Sequence, residues 1–399
     1  MTPLVITGLG AVTQGAVGRE AFERATRERE VGAFRAPTLF DESRWPGARV
    51  IEATDFDPAP VLGDKGLRNI DRLTKFFLVA SRNALEDAGL KRDAKWLSGD
   101  GSFGRRAGVC ASTAYGSLES MVELHRVALL ESPRYLNPAR FPNTVINAAL
   151  GYVSIWEDLR AVNATVCNGN CGALDSILVA ESFLGTDRAD VIVVGGAEAM
   201  HEALFLAFER LEAMAPDGQP HAPGDDERSR GMRLGEGSVM LTVEREAFAR
   251  ERGAPCNVRI TGFGTSFEPP SSEVMVINLS AEAIERATTL ALADAKLAPS
   301  DIDAVVSSAN GYSAYDRAEK TALAAVFGGP KPRALTKRAY GETLGAGGAF
   351  ALGTAYVALD RGIVPAARDS APWPSDARRL LVLTTGFYGN ATAVVVERA

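Results

Sequence analysis

The sequence predicts an α/β protein built from a duplicated unit, and three observations carry that prediction. Strand-length runs such as DVIVVG (Asp190–Gly195) are apolar at successive positions, so their sheet needs helices on both faces. Between them lie segments with apolar residues at helical spacing. A helix, a strand and a glycine turn also recur in the same order. NALEDAGL (Asn83–Leu90), RAGVCAS and TAYGS come first, and LALADAKL (Leu290–Leu297), DAVVSS and ANGYS follow later.

Leu4–Gly8 is a short β-rich run ended by glycine. Arg19–Glu30 is dense in Glu and Arg and reads as a solvated helix face. Phe76–Leu90 has helical periodicity and meets a stop signal at Gly89. Ala107–Ala111 reads as a buried strand, Leu174–Leu184 as a helix and Asp190–Gly195 as a fully buried strand. Asp217–Arg230, rich in Pro, Gly and charge, reads as an exposed loop within the first half. Val239–Glu244, Ala304–Ser308, Leu380–Thr384 and Thr392–Glu397 are further strands. Arg245–Pro255 reads as the crossover, which divides the chain into halves 1–250 and 251–399.

The 399 residues are 46% apolar and 23% charged, which suits a globular protein and excludes disordered or collagen-like chains. The net charge of −7 argues against a nucleic-acid binder. No apolar run reaches the roughly 18 residues of a membrane span, and the N-terminus lacks the positive region of a signal peptide. Four cysteines in this length make no disulfide framework, and the pair Cys167 and Cys171 has no neighbouring ligands for a metal. Reduced thiols in a cytoplasm are the expectation. The three histidines are His125, His201 and His221.

Several segments then become specific. Phe56-Asp57-Pro58 precedes Ile70-Asp71-Arg72-Leu73-Thr74, and Gly195-Gly196-Ala197-Glu198 closes a strand. Arg233-Leu234-Gly235-Glu236-Gly237-Ser238 opens another. Thr336-Lys337 precedes Gly341-Glu342-Thr343-Leu344-Gly345-Ala346-Gly347-Gly348, and Gly386-Phe387-Tyr388-Gly389-Asn390 lies near the end. The glycines in Gly345–Gly348 lack both the P-loop and the dinucleotide spacing, and read as sites of close backbone packing. In this order the segments resemble the β-ketoacyl synthase family acting on acyl carrier protein substrates. The resemblance implies a thiolase fold, two duplicated α/β halves in a five-layer αβαβα sandwich, working as a dimer without cofactor or metal.

The family's chemistry needs a cysteine thiolate to take the acyl chain, two histidines to decarboxylate the malonyl extender and steady the oxyanion, and a supporting lysine. Counted back from GGAE, the nucleophile position falls on Asn170. The resemblance places Asn310 and Glu342 at the two histidine positions and retains Lys337 and Phe387, with Tyr388 where the family usually has glycine. Asn170 also suits a turn before a helix. An amide does not shuttle protons near neutral pH, and a glutamate beside an enolate repels charge. Glu342 is expected to pair with Lys337, and the three histidines are expected to be surface or packing residues. Cys171 is the alternative nucleophile, which requires a one-residue deletion after it.

The stretch CGALDSI looks like that of chain length factors, the non-condensing partners of ketosynthases, in which an amide replaces the cysteine. The resemblance therefore implies a catalytically degenerate subunit. It would pair with a ketosynthase α-subunit, meet acyl carrier protein with its acyl and malonyl thioesters, and shape the acyl tunnel. Ser117, Met121, Leu124 and Phe141 are the expected tunnel wall, with dimer-core packing as their plainer role. Lys65, Arg68 and Arg72 are the expected carrier-docking patch, spaced for one helix face, with a solvated helix end as the plainer role. Three alternatives remain open: an active synthase or acyltransferase using Cys171, a malonyl decarboxylase using the Asn170 amide, and a non-enzymatic scaffold homodimer.

Overall fold

The computed structural model describes residues 3–98, 101–225, 227–272 and 277–399. Its first half contributes strands β1 (Leu4–Thr13), β2 (Ala107–Ser112), β3 (Asn163–Val166), β4 (Val191–Glu198) and β5 (Gly237–Arg245). Its second half contributes β6 (Val258–Phe267), β7 (Ala304–Val306), β8 (Arg333–Ala334), β9 (Arg379–Thr385) and β10 (Asn390–Arg398). The first five pair in the order β1-β5-β4-β2-β3, the second five in the order β6-β10-β9-β7-β8. In each half, first strand pairs with fifth, fifth with fourth, fourth with second and second with third. That identity of topology is the duplication. The two sets join where Leu4–Ile6 of β1 pairs antiparallel with Val258–Ile260 of β6, and Ala16–Val17 adds a short ribbon on β1.

The main helices are α1 (Arg72–Asp87), α2 (Leu118–Leu130), α3 (Ala148–Glu157), α4 (Gly172–Gly185), α5 (Ala281–Ala295), α6 (Ser313–Phe327) and α7 (Gly347–Arg361). Because strand side chains alternate faces, each sheet feeds two cores. Val109, Val191 and Val193 pack outward on α1 and α3. Their neighbours Cys110, Ile192 and Val194 pack inward on α4 and α7. On the other side of those helices lie Leu380, Val382 and Val394, while Leu381, Leu383 and Val395 face α5 and α6. The layers are thus α1/α3, first sheet, α4/α7, second sheet, α5/α6, the five-layer arrangement expected. The sequence GGAFALGTAYVAL of α7 is buried all round, as a helix between two sheets must be.

Both halves open with the same device. Ile6-Thr7-Gly8-Leu9-Gly10 starts the first and Ile260-Thr261-Gly262-Phe263-Gly264 the second. A Cβ on Gly10 would lie 2.0 Å from Ala80 O of α1, and one on Gly264 would lie 2.1 Å from Ala287 O of α5. Glycine lets the covering helix lie directly on the strand backbone.

Two expectations are corrected. The helix Arg19–Glu28 is solvated on one side only, where Glu20, Arg24, Arg27 and Glu28 are exposed, because its other side buries Arg19, Phe22, Ala25 and Thr26. The Arg19 guanidinium meets Glu23 at 2.7 Å, Asp87 at 3.0 Å and also Asp360, and these carboxylates make its burial possible. The Asp217–Arg230 loop is exposed only in part. Its middle is drawn inward where Asp316 accepts Gly224 N–H at 2.7 Å and Arg333 donates to Gly224 O at 3.0 Å; residue 226 lies outside the described residues. No helix among the described residues is long and apolar enough to cross a membrane.

Candidate functional site

Asn170 sits in a one-turn 3₁₀ segment, Gly169–Cys171, between β3 and α4. The turn is forced tight. Gly169 has φ +53°, and a Cβ on Gly172 would lie 2.2 Å from Ser112 Oγ at the end of β2. Asn170 is 3% exposed, and its Nδ2 has no hydrogen-bond partner. The adjacent Cys171 points away toward β9, its Sγ 3.7 Å from Thr384 O. Burial, with Asp175 nearby, pushes the Cys171 thiol up to about 12. A thiol so placed supplies almost no thiolate near neutral pH. Cys167 is exposed, with its thiol raised by partial burial, and donates to Ala114 O at 3.4 Å.

The second half brings three sequence-predicted positions together. Asn310 follows β7 in a loop whose N–H groups at Asn310 and Gly311 are accepted by Asp316, at the start of α6, at 2.8 and 3.2 Å. Glu342 follows the short helix Thr336–Tyr340. Its N–H donates to Arg233 O at 2.8 Å and its carbonyl accepts Gly235 N–H at 2.9 Å, so the RLGEG and GETLGAGG motifs hold each other. Glu342 Oε2 accepts Lys337 Nζ at 2.8 Å and Asn310 Nδ2 at 2.9 Å, while Oε1 accepts Leu344 N–H at 2.9 Å. Asn310 and Glu342 are fully buried and Lys337 nearly so. Burial opposes the Lys337 charge, but Glu342 and Tyr315 overcome it and hold the ammonium above its ordinary range. The Lys337 Nζ also lies 5.1 Å from the Tyr315 ring centroid. This is a neutralised, satisfied ion pair with an amide attached. It offers no proton relay and no free oxyanion donor.

Phe387 is buried against Tyr315 (5.4 Å between centroids) and Phe208 (5.6 Å). Tyr388, next to it, is 52% exposed, and its ring edge lies 3.8 Å from a Cβ built on Gly169. Sequence reasoning singled out Tyr388 but missed Tyr115, Tyr315, Asp316 and the role of Glu198. Glu198 closes β4 and accepts N–H groups from Ala114 (2.8 Å) and Gly345 (3.2 Å) and the Thr113 hydroxyl (3.1 Å). Burial outweighs these bonds and pushes its carboxyl up to about 7. The spacing of GGAE gives no sign that its last residue ties β2's end to the Leu344–Ala346 turn.

The histidines lie outside this network as reactive groups. His221 donates from Nε2 to Lys337 O at 2.9 Å and packs edge-on to Phe34; burial pushes it down to about 4, so it stays neutral near pH 7. His201 caps the helix Glu202–Arg210 by accepting Ala203 N–H at 3.1 Å. His125 is exposed on α2, where Nδ1 lies 2.8 Å from Met121 O.

Of the expected wall residues, Met121, Leu124 and Phe141 line one apolar groove of about 630 Å³, together with Leu136, Pro138 and Thr144. Ser117 is not among them. It caps α2, accepting Ser120 N–H at 3.3 Å, and faces a small crevice with Leu73 and Met200. Around the groove Leu129, Leu130, Tyr135 and Phe141 are 81, 75, 71 and 66% exposed. The expected single helix carrying Lys65, Arg68 and Arg72 does not form. Lys65 lies in a turn, Arg68 in the 3₁₀ segment Leu67–Asn69, and Arg72 begins α1. Gly66, at φ +87°, breaks the helix between them. Lys65 and Arg68 are exposed, whereas Arg72 grips buried Glu236 at 2.5 and 2.9 Å.

Residues 1–249 match the family model described as Beta-ketoacyl synthase, N-terminal domain, and residues 259–370 match Beta-ketoacyl synthase, C-terminal domain. The tetracenomycin polyketide synthase ketoacyl synthase beta subunit of Streptomyces glaucescens is 31% identical over 99% of this chain and 98% of its own length. The 3-oxoacyl-(acyl-carrier-protein) synthase 2 of Coxiella burnetii is 29% identical over 87% of this chain and 83% of its own. Among solved structures, the ishigamide ketosynthase/chain length factor superposes with a TM-score of 0.86 at 23% identity, covering 100% of this chain and 99% of that one.

Proposed function

This chain belongs to the β-ketoacyl synthase family, and we propose that within it the chain is a chain length factor-like subunit that does not condense. It pairs with an active ketosynthase and contributes wall to the tunnel in which a polyketide, polyene or fatty acyl chain grows on acyl carrier protein. The observation that carries this reading is the Asn310–Glu342–Lys337 network. The residues that the resemblance puts at the two histidine positions satisfy each other in a buried site, and the residue it puts at the nucleophile position is an amide. The beta-subunit name of the tetracenomycin relative agrees with it. The alternative nucleophile Cys171 is disfavoured by its burial and its turn toward Thr384. One observation favours a second reading, a residual malonyl decarboxylase: the Asn170 Nδ2 has a spare hydrogen to offer a carbonyl.

The test is reconstitution with acyl- and malonyl-carrier protein, read by mass spectrometry of the carrier. The purified chain is expected to form no C–C bond alone and to co-purify with an active ketosynthase, whose condensation it supports. Condensation by the chain alone, lost in Cys171→Ala, overturns the proposal. Carbon dioxide release lost in Asn170→Ala selects the decarboxylase. A stable homodimer that ignores every ketosynthase selects the scaffold.

A further inference from the structure

Among the described residues five cationic side chains are more than nine-tenths buried: Arg19, Arg82, Lys91, Arg233 and Lys337. Four of them meet a carboxylate. Arg19 meets Glu23 at 2.7 Å, Arg82 and Lys91 share Glu157 at 2.7 Å each, and Lys337 meets Glu342 at 2.8 Å. Arg233 meets none among the described residues. Its side chain donates one hydrogen bond there, from Nη2 to Gln219 O at 3.0 Å, and its guanidinium carbon lies 5.8 Å from the Phe34 ring centroid. A carbonyl and a ring face both attract a cation, but neither brings the counter-charge that a buried ion needs. Burial and the neighbouring Arg49 guanidinium hold Arg233 below its ordinary range, yet a guanidinium stays charged at any ordinary pH. The backbone cannot carry that charge out to water. Arg233 O accepts Glu342 N–H at 2.8 Å, and Leu234 O accepts Ile51 N–H at 3.0 Å. The turn that supplies Gln219 is pinned too, since a Cβ on Gly47 would lie 2.6 Å from Asp217 Cβ. Asp217 itself is exposed and lies 4.0 Å from Arg49. The free N–H groups of Arg233 are not sealed off, because none of its nitrogens is both enclosed and unpartnered.

We propose that Arg233, with Arg49 beside it, is a binding site for a small oxyanion, a phosphate or carboxylate group that supplies the counter-charge. A guanidinium carries five N–H donors, most of them unused here, and it matches both kinds of oxyanion two bonds at a time. Such an anion sits beside the RLGEG motif that holds Glu342, so its binding stabilises the folded chain. The site goes beyond the pairing reading and does not depend on it.

Thermal unfolding of the full chain tests it, with inorganic phosphate titrated against chloride at constant ionic strength and acetate as the carboxylate arm. The wild-type midpoint is expected to rise with phosphate, with acetate or with both. Phosphate also strengthens apolar burial in general, but that part is common to every variant, so the difference between variants is what is read. Arg233→Met should weaken the anion response at least about tenfold, because the charge and the fork are both lost. In chloride alone Arg233→Met should be no less stable than wild type, since it removes a buried charge that has no partner. Arg49→Gln, which removes a half-exposed neighbour, should weaken the response by about two- to fivefold. If Arg233→Met does not fold, Arg233→Lys keeps a cation and loses the fork, and should lose most of the response. A response to acetate alone assigns the site to carboxylates, and a response to phosphate alone assigns it to phosphates. Equal responses in wild type and the Arg233 variants overturn the site. So does a wild type that answers to neither anion, and slowed carrier-protein association in Arg233→Met would then give the guanidinium to a protein carboxylate instead.

Discussion

The Asn170–Glu342 site and the groove beside α2 are opposites. The first is polar, buried and almost fully satisfied; the second is apolar, open and unpartnered on the single chain. The interior network ties the RLGEG and GETLGAGG motifs of the two halves together, and the surface groove carries the unsatisfied apolar free energy. An exposed apolar patch of this kind marks an interaction site. The contrast teaches that the two regions are built for different ends: the interior satisfies its own polar groups, and the groove leaves apolar surface for something else to cover.

The hardest way to break the comparison is to attack the interior pair. Lys337→Met leaves the Glu342 carboxylate buried with Asn310 and Leu344 N–H as partners. Removing one member of a buried ion pair costs about 3–5 kcal/mol. The double variant Lys337→Met with Glu342→Gln removes both charges and should recover most of that loss. Urea unfolding of the three proteins checks it. A double variant as unstable as Lys337→Met would mean that the network does more than neutralise itself.

The interior also has a pH signature. Glu198 stands at about 7, against about 4.3 for a free glutamate, and Asp316 is pushed by burial up to about 6. Both are raised, so the folded chain holds these protons where the unfolded chain releases them. Their contribution is full below about pH 4 and is lost as pH rises through 6 and 7. The urea midpoint should therefore fall between pH 5 and 7.5, and Glu198 accounts for about 3 kcal/mol of the fall. Glu198→Gln should flatten the profile. An unchanged slope in that variant would place the titration elsewhere.

How far the sequence reached differs between the same two regions. The interior strands were legible because they are apolar on both faces, and the Glu342–Lys337 pair because two motifs placed an acid and a base together. β3 escaped notice because NATV is a short, half-polar edge strand, and β6 because its glycines hide a strand pattern. Those same glycines repeat the opening of β1, a duplication signal as direct as the helix–strand echo. The recruitment of Asn310 by Glu342, and of Arg72 by Glu236, depends on contacts across long sequence separations that no local pattern encodes. Of the four residues grouped from the sequence, Met121, Leu124 and Phe141 do share one apolar groove, whereas Ser117 sits at a separate crevice, where its hydroxyl caps a helix.

The groove should respond to changes that the interior ignores. Phe141→Asp, at a 66% exposed position, should leave the stability of the isolated chain within about 0.5 kcal/mol. If Phe141 anchors the partner, the same change should weaken pairing by about 2 kcal/mol or more, measured by titration of the ketosynthase. In the reconstituted pair, Met121→Trp should shorten the carrier-bound product and Met121→Ala lengthen it, since overfilling an apolar space costs about 1–3 kcal/mol. Unaltered pairing and product length in all three variants would assign the groove to another purpose.

The smallest effect belongs to the cationic rim. Lys65 and Arg68 are exposed and make no ion pair among the described residues, whereas Arg72 is committed to Glu236. A solvated charge adds little to affinity, but it steers an acidic partner during approach. Lys65→Glu with Arg68→Glu should therefore slow association of an acidic carrier protein with the pair by about two- to fivefold at low salt, and leave dissociation nearly unchanged. The difference should vanish near 0.5 M salt, where screening acts within a few ångströms. Arg72→Gln should behave differently. It withdraws the cation from buried Glu236, so it should lower stability and leave the salt dependence of association alone. Stopped-flow association across a salt series separates the two. If the Arg72 variant alone changed the salt slope, the docking surface would include the α1 terminus and exclude the turn before it.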